Sequence, residues 1–128
     1  MPTVLIADDE QHIRLLIGQT LEGLEDEGVV IRTAADGSAA LDAVREHRPE
    51  LVFLDVTMPI VGGFEICRTI KLDPDLGGTT VVMLISRGQV YDREAGLASG
   101  ADRYLTKPFD PDEVLDLARH ALGLTGPG

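Results

Sequence analysis

The sequence predicts an α/β fold, a doubly wound parallel sheet of five strands with five helices. Short apolar runs alternate five times with segments of helical periodicity. The first four runs are continuously apolar, which is typical of strands that are covered on both faces, as in a parallel sheet. Five successive β–α units of this length favour one sheet between two helical layers, joined by right-handed crossovers. The runs are Val4–Ala7, Val29–Ile31, Leu51–Leu54, Val81–Ile85 and Tyr104–Leu105.

The segments that follow these runs carry apolar residues at the spacing of amphipathic helices. A fourth helix is predicted over residues 90–99, and Gly100 would end it. The last helix has a clear start signal, because Asp110 suits the N-cap, Pro111 the first helical position and Glu113 a capping box. The predicted core positions are Ile13, Leu16, Ile17, Leu21 and Leu24 in the first helix, Ala40, Leu41 and Val44 in the second, Phe64, Cys67 and Ile70 in the third, and Val114, Leu115, Ala118 and Leu122 in the last.

Length and composition indicate one globular domain. A chain of 128 residues can bury a single core, and we expect residues 1–123 to form the domain and residues 124–128 to be a frayed tail or the start of a cut linker. The single cysteine, Cys67, excludes an internal disulfide and fits a reducing compartment. No apolar run is long enough to span a bilayer and the N-terminus does not resemble a signal peptide, so we expect a cytoplasmic protein.

Charged side chains follow the ends of the predicted strands. Asp8, Asp9 and Glu10 follow the first strand, Asp55 ends the third and Lys107 follows the fifth. Because open α/β sheets bind ligands beyond the carboxyl ends of their strands, we expect these groups to converge at one edge. Taken singly, each has a simpler interpretation. The acids after the first strand could cap a helix, Asp55 could be a turn residue, and Lys107 could be a surface residue.

Together these groups predict a magnesium-dependent phosphoryl site. Clustered carboxylates repel one another unless a cation lies among them, and oxygen ligands with incomplete protein coordination suit Mg²⁺. An aspartate beside Mg²⁺ and a lysine can attack phosphorus and become an aspartyl phosphate. Such a reaction needs mainly positioning and charge neutralisation, which the metal and the lysine supply.

Three motifs lie at these strand ends in chain order. They are Val4–Glu10, then Leu54–Pro59 with Gly62–Phe64, and finally Gly100–Asp102 leading to Tyr104–Phe109. Together they resemble the receiver domain of bacterial two-component response regulators, and the resemblance extends from about Thr3 to Leu122. It implies the strand order 2-1-3-4-5, which belongs to flavodoxin-like sheets.

The resemblance implies a role for each residue of the acidic edge. Asp55 would be the phosphoacceptor, and Lys107 would pair with the phosphoryl group. Asp9 and Asp55 would hold Mg²⁺ directly, Asp8 would hold it largely through water, and the Thr57 backbone carbonyl would complete the protein ligands. The domain would then be a phosphotransfer module that phosphorylates and dephosphorylates itself, rather than a turnover enzyme.

The resemblance also implies a conformational switch. Tyr104 matches an aromatic that the family uses as a rotamer switch, although a half-buried strand tyrosine would give the same pattern. The family places Thr or Ser at the end of the fourth strand, where a gap-free count puts Ile85, with Ser86 at the next position. Either Ser86 turns inward or the phosphoryl group loses a side-chain donor, because neighbouring strand residues point to opposite faces. The peptide bond before Pro108 would be cis, a rare form.

Partners follow from charge and from the resemblance. The net charge of −11 repels phosphate backbones and anionic membranes, so we expect no direct contact with nucleic acid and none with membranes. A sensor histidine kinase or phosphotransfer protein would donate the phosphoryl group, and a downstream protein would be the target. We expect a monomer or weak dimer. The chain resembles the dimerising winged-helix branch of the family at Arg93, Asp102, Glu113 and Arg119, but Arg103 and Leu117 stand where that branch has an acid and an arginine.

Two other functions are weighed against the receiver. A magnesium-dependent phosphatase of the haloacid dehalogenase kind needs a second aspartate two residues after the nucleophile, as a general acid, and Thr57 stands there. The chain also has no room for a cap domain. A flavodoxin-like flavin carrier needs a phosphate loop after the first strand and aromatics that stack on the ring, but the sequence has acids there and only 4% aromatic residues.

Overall fold

The computed structural model describes residues 2–86 and 99–124, and within them the chain forms one parallel sheet. The strands lie in the predicted order β2-β1-β3-β4-β5, which confirms the doubly wound α/β fold. The strands are β1 (Thr3–Ala7), β2 (Val30–Ala34), β3 (Leu51–Asp55), β4 (Thr80–Ser86) and β5 (Arg103–Lys107). The helices are α1 (Gln11–Leu21), followed by a short 3-10 helix (Glu22–Glu27), then α2 (Gly37–His47), α3 (Gly63–Leu72) and α4 (Pro111–Ala121).

Some predicted elements fall outside this part of the chain. The helix predicted over residues 90–99 lies outside the described residues except for its last residue, and so do residues 125–128 of the predicted tail. Among the described residues, no helix is long and apolar enough to cross a membrane.

Two apolar layers enclose the sheet, one on each face. Alternate strand residues point to opposite faces, so Leu5 and Ala7 pack in the layer with α2 and α3. Val4 and Ile6 pack in the layer with α1 and α4. The central strands β1 and β3 are buried along their whole length, as their unbroken apolar runs predict.

The second strand corrects one prediction. Its apolar run predicts cover on both faces, but β2 starts at Val30 and continues through Arg32 and Thr33, which are exposed. The reason is position, because β2 lies at the edge of the sheet and pairs only with β1. The covered valine of that run, Val29, precedes the strand.

The helices bury most of the predicted core positions, and four of them are only half-buried: Leu41, Phe64, Leu115 and Leu122. Two further differences appear in α1 and α3. The buried face of α1 is formed by Ile13, Ile17 and Leu21, and Leu16 lies at its margin with 39% of its surface exposed. In α3 the fully buried Ile66 joins the predicted residues, because this helix covers the sheet with a wider face than the sequence spacing indicates. At α4 the Asp110 side chain accepts a hydrogen bond from the backbone N–H of Asp112 at 2.9 Å, so it caps the helix as predicted.

Strand register brings the carboxyl ends of four strands to one edge. Ala7 pairs with Leu54, Asp55 with Leu84 and Ser86 with Lys107. The loop after β3 returns closely to the strand end at Gly63, where a Cβ atom would lie 2.0 Å from the carbonyl oxygen of Asp55. The glycine therefore permits α3 to begin against the backbone of the residue at the centre of this edge.

Candidate functional site

Two carboxylates and one lysine are buried together at the carboxyl edge of the sheet. Asp8 follows β1 and is fully buried, Asp55 ends β3 with 2% exposure, and Lys107 ends β5 with 8% exposure. The Lys107 Nζ atom lies 2.8 Å from Asp8 Oδ2 and 3.9 Å from Asp55 Oδ2. Buried charges are tolerated when they are paired, and this lysine is the cation that pairs both acids.

A third carboxylate reaches the same lysine. Glu10 Oε1 accepts a hydrogen bond from Lys107 Nζ at 3.5 Å, and Glu10 Oε2 lies 3.3 Å from His12 Nε2. The Glu10 side chain is 43% exposed, so it lies on the solvent side of the cluster. Sequence reasoning placed Glu10 at this edge with the two aspartates but gave it no role of its own. Its position directly after the aspartate pair at a strand end was the signal that pointed to it.

Asp8 has one oxygen satisfied and one that is not. Asp8 Oδ1 accepts a hydrogen bond from the backbone N–H of Glu10 at 2.8 Å. Asp8 Oδ2 is close to Lys107 Nζ, but within the described residues no donor is oriented to form a hydrogen bond with it. The contact is a short ion pair, and a carboxylate oxygen has lone pairs enough to face a second cation as well.

Oxygen atoms of adjacent acids meet closely enough to bind a metal ion. One carboxylate oxygen from each of Asp8, Asp9 and Glu10 lies within 4.8 Å of the others. Hard oxygen donors of this kind suit Mg²⁺, and the unsatisfied oxygen of Asp8 fits the same requirement. Asp55 does not belong to this close group. Its Oδ1 accepts a hydrogen bond from the backbone N–H of Thr57 at 3.2 Å.

Burial changes the proton affinity of the two central groups. Burial and the nearby Asp8 carboxylate raise the pKa of Asp55 from 3.8 to about 7, and the positive charge of Lys107 and the Thr57 N–H oppose that rise. Burial lowers the pKa of Lys107, but contact with Asp8 and the charges of Asp55 and Glu10 outweigh it, so the pKa of Lys107 is raised overall. The lysine therefore stays charged at neutral pH, whereas the pKa of Asp55 lies close to neutral pH.

The end of β4 lies beside this cluster. The strand is regular through Ser86, which pairs with Lys107 across the β4–β5 ladder. Ile85 packs in the layer of α2 and α3, whereas its neighbour Leu84 packs in the other layer. Because alternate strand residues point to the same face, Ser86 lies on the face of the sheet that Leu84 occupies, towards α1 and α4. Tyr104 on β5 is 39% exposed, and the Lys107–Pro108 peptide bond is cis, the isomer that the resemblance implies.

Residues of the predicted weak dimer face are paired within the chain. Asp102 Oδ2 lies 2.7 Å from Lys71 Nζ and accepts a hydrogen bond from the Val81 N–H at 2.8 Å. Arg119 lies 2.7 Å from Glu27. Both charged groups already have partners inside the domain, so they would have to exchange them to bridge a second copy.

Comparison with known proteins shows the family to which this fold belongs. The family model "Response regulator receiver domain" matches residues 4–119. The chain therefore belongs to the response regulator receiver family of two-component signalling. This confirms the resemblance drawn from the strand-end motifs and favours the receiver over the phosphatase and flavin-carrier alternatives. Receiver domains pair with histidine kinases and generally bind Mg²⁺ at an acidic site.

Relatives are found among transcriptional and chemotaxis regulators. The probable transcriptional regulatory protein TcrX of Mycobacterium tuberculosis is 40% identical over 124 residues, covering 97% of this chain and 51% of TcrX. The DNA-binding response regulator MtrA of Mycolicibacterium smegmatis is 39% identical over 119 residues, covering 93% of this chain and 50% of MtrA. The high-resolution structure of the chemotaxis response regulator CheY4 of Vibrio cholerae has a TM-score of 0.80 at 32% identity, covering 94% of this chain and 98% of CheY4.

These relatives bear on the expected partners. The chain spans about half the length of TcrX and MtrA. Because MtrA is named as DNA-binding, the expectation that the protein makes no direct contact with nucleic acid is not supported.

Proposed function

We propose that this domain is a phosphorylation switch in which Asp55 accepts a phosphoryl group from a sensor histidine kinase or a phosphotransfer protein. The observation that carries the proposal is the placement of Asp55. Its carboxylate is buried at the end of β3, with the charged Nζ of Lys107 3.9 Å away and the Asp8 carboxylate on the same lysine. A nucleophilic carboxylate beside a fixed cation is the arrangement that phosphoryl transfer requires.

The chemistry assigns each group a task. A carboxylate oxygen of Asp55 forms the new bond to phosphorus while the bond from phosphorus to the donor nitrogen breaks, and that nitrogen keeps the electron pair. Lys107 contributes positive charge toward the phosphoryl oxygens. The Thr57 N–H fixes the orientation of Asp55 through Oδ1. Mg²⁺ held by Asp8, Asp9, Asp55 and the Thr57 carbonyl would neutralise further phosphoryl charge.

The acceptor assignment is tested by intact mass spectrometry. Incubation with acetyl phosphate and Mg²⁺ should add one phosphoryl mass to the wild type, and the addition should be lost in Asp55→Asn. The matched control is Asp42→Asn, which removes an exposed carboxylate from α2 and should leave the labelling unchanged. Labelling that persists in Asp55→Asn would refute the assignment.

We propose further that Ser86, rather than Ile85, donates a hydrogen bond to the phosphoryl group. Two observations support this proposal. Ser86 lies on the opposite face of the regular strand β4 from Ile85, and it is the register partner of Lys107 in the β4–β5 ladder. A hydrogen bond to a charged group is worth about 1.5–3 kcal/mol, which is comparable to typical allosteric coupling energies. Its loss should therefore weaken a coupled movement of Tyr104.

The switch is tested with a phosphoryl mimic and NMR of Tyr104. Ser86→Ala should reduce the change in the Tyr104 signal that follows addition of beryllofluoride and Mg²⁺. Ile85→Thr should leave that change as it is in the wild type. The opposite pattern, with a larger response in Ile85→Thr and no effect of Ser86→Ala, would show that Ser86 does not donate a hydrogen bond to the phosphoryl group.

A further inference from the structure

Lys107 is shared among three carboxylates, and the proposed phosphoacceptor is the most distant of them. Its Nζ atom lies 2.8 Å from Asp8, 3.5 Å from Glu10 and 3.9 Å from Asp55. To neutralise a phosphoryl group on Asp55, the ammonium group has to lean toward Asp55. In the structure it is held instead by the two acids that follow β1.

Of those two acids, Glu10 is the one to which the proposed phosphoryl chemistry gives no task, although one of its oxygens lies in the close group with Asp8 and Asp9. It extends from the residue before α1, and its Oε1 accepts the hydrogen bond from Lys107. Its Oε2 lies 3.3 Å from His12 Nε2, so both carboxylate oxygens have a neighbour that orients the side chain. At 43% exposure Glu10 can be changed without opening the buried core.

We propose that Glu10 is a positioning residue that restrains Lys107 on the β1 side of the site in the resting state and so slows phosphorylation. The proposal rests on the proposed function of Asp55. Since the contact has to be given up as the lysine turns to the incoming phosphoryl group, its energy adds to the barrier. A partly exposed ion pair is weak, so we expect its removal to accelerate labelling by about two- to fivefold.

Two substitutions separate the contact from the charge. Glu10→Gln keeps the shape and removes the charge, whereas Glu10→Asp keeps the charge and shortens the reach by one methylene. If the contact restrains Lys107, both variants should label faster with acetyl phosphate at fixed excess Mg²⁺. The control is Glu65→Gln, an exposed acid in the first turn of α3, which should label at the wild-type rate.

A second measurement follows the lysine itself. The chain has two lysines, Lys71 and Lys107, so ¹⁵N-lysine labelling gives two side-chain ammonium signals by NMR. In the absence of phosphodonor, both Glu10 variants should move the Lys107 signal toward its position in the wild type with beryllofluoride and Mg²⁺. The Lys71 signal, from the ion pair with Asp102, should not move.

The outcomes distinguish this proposal from the function on which it rests. Faster labelling with a moved Lys107 signal in both Glu10 variants supports the restraint. Faster labelling in Glu10→Gln with wild-type behaviour in Glu10→Asp would show a general charge effect and overturn it. Unchanged or slower labelling with an unmoved signal would overturn it as well. A wild-type protein that is not labelled on Asp55 would refute the phosphoacceptor, while the Lys107 signal would still report on the contact.

Discussion

Replacing Asp55 with asparagine should stabilise the metal-free protein, and increasingly so as the pH rises. The pKa of this carboxyl is raised to about 7 by burial and by the Asp8 charge. The folded protein therefore holds the proton more tightly than the unfolded chain does. That contribution to stability is fully present below the unfolded pKa near 3.8 and is lost as the pH rises through about 7. Asparagine keeps the shape and cannot ionise, so the variant avoids this loss.

The size of the effect follows from the two pKa values. A carboxyl that titrates at 3.8 unfolded and about 7 folded changes stability by about 4 kcal/mol over the full range. Between pH 5 and pH 8, linkage assigns between about 2 and 3 kcal/mol of that change. For a domain of this size the Tm of the variant relative to wild type should rise by roughly 10 °C across that interval.

The assay is chemical and thermal unfolding in EDTA, at several pH values from 5 to 8. Asp42→Asn serves as the control, because it makes the same change in net charge on the exposed face of α2. The difference between Asp55→Asn and wild type should grow with pH, and that of Asp42→Asn should stay small. A constant difference across the pH range, or a variant that is less stable at pH 8, would refute the reasoning from burial.

Further predictions concern the metal, the loop after β3 and the oligomeric state. Asp9→Asn should raise the metal-free Tm by relieving carboxylate repulsion, and it should reduce the stabilisation by Mg²⁺. Both effects are measured by thermal unfolding across a Mg²⁺ titration, and a wild-type Tm that does not change with Mg²⁺ would count against the site. Gly63→Ala should lose about 1–3 kcal/mol in urea unfolding, because its Cβ would meet the Asp55 carbonyl oxygen at 2.0 Å. Gly18→Ala in α1, whose Cβ meets nothing within 4 Å, should instead gain about 0.5–1 kcal/mol. Light scattering with and without acetyl phosphate and Mg²⁺ should give a monomer mass, and a stable phosphorylation-dependent dimer would contradict the weak-dimer prediction.

The sequence by itself determined the architecture and the edge at which the site lies. Unbroken apolar runs at β1 and β3 predict buried parallel strands, because a strand covered on both faces has no row of side chains facing solvent. Parallel strands bring their carboxyl ends to one edge, so the sequence alone predicts that residues far apart in the chain, such as Asp8, Asp55 and Lys107, lie together.

Only the tertiary structure decided which of those residues are buried and which of them contact Lys107. Asp8 is fully buried while its neighbour Asp9 is exposed, and Glu10 reaches Lys107, because the turn from β1 into α1 sets the direction of each side chain. Local pattern also misjudged the cover of β2 and the side of Leu16. Burial depends on which element lies against a residue, and that is settled only when the whole chain packs.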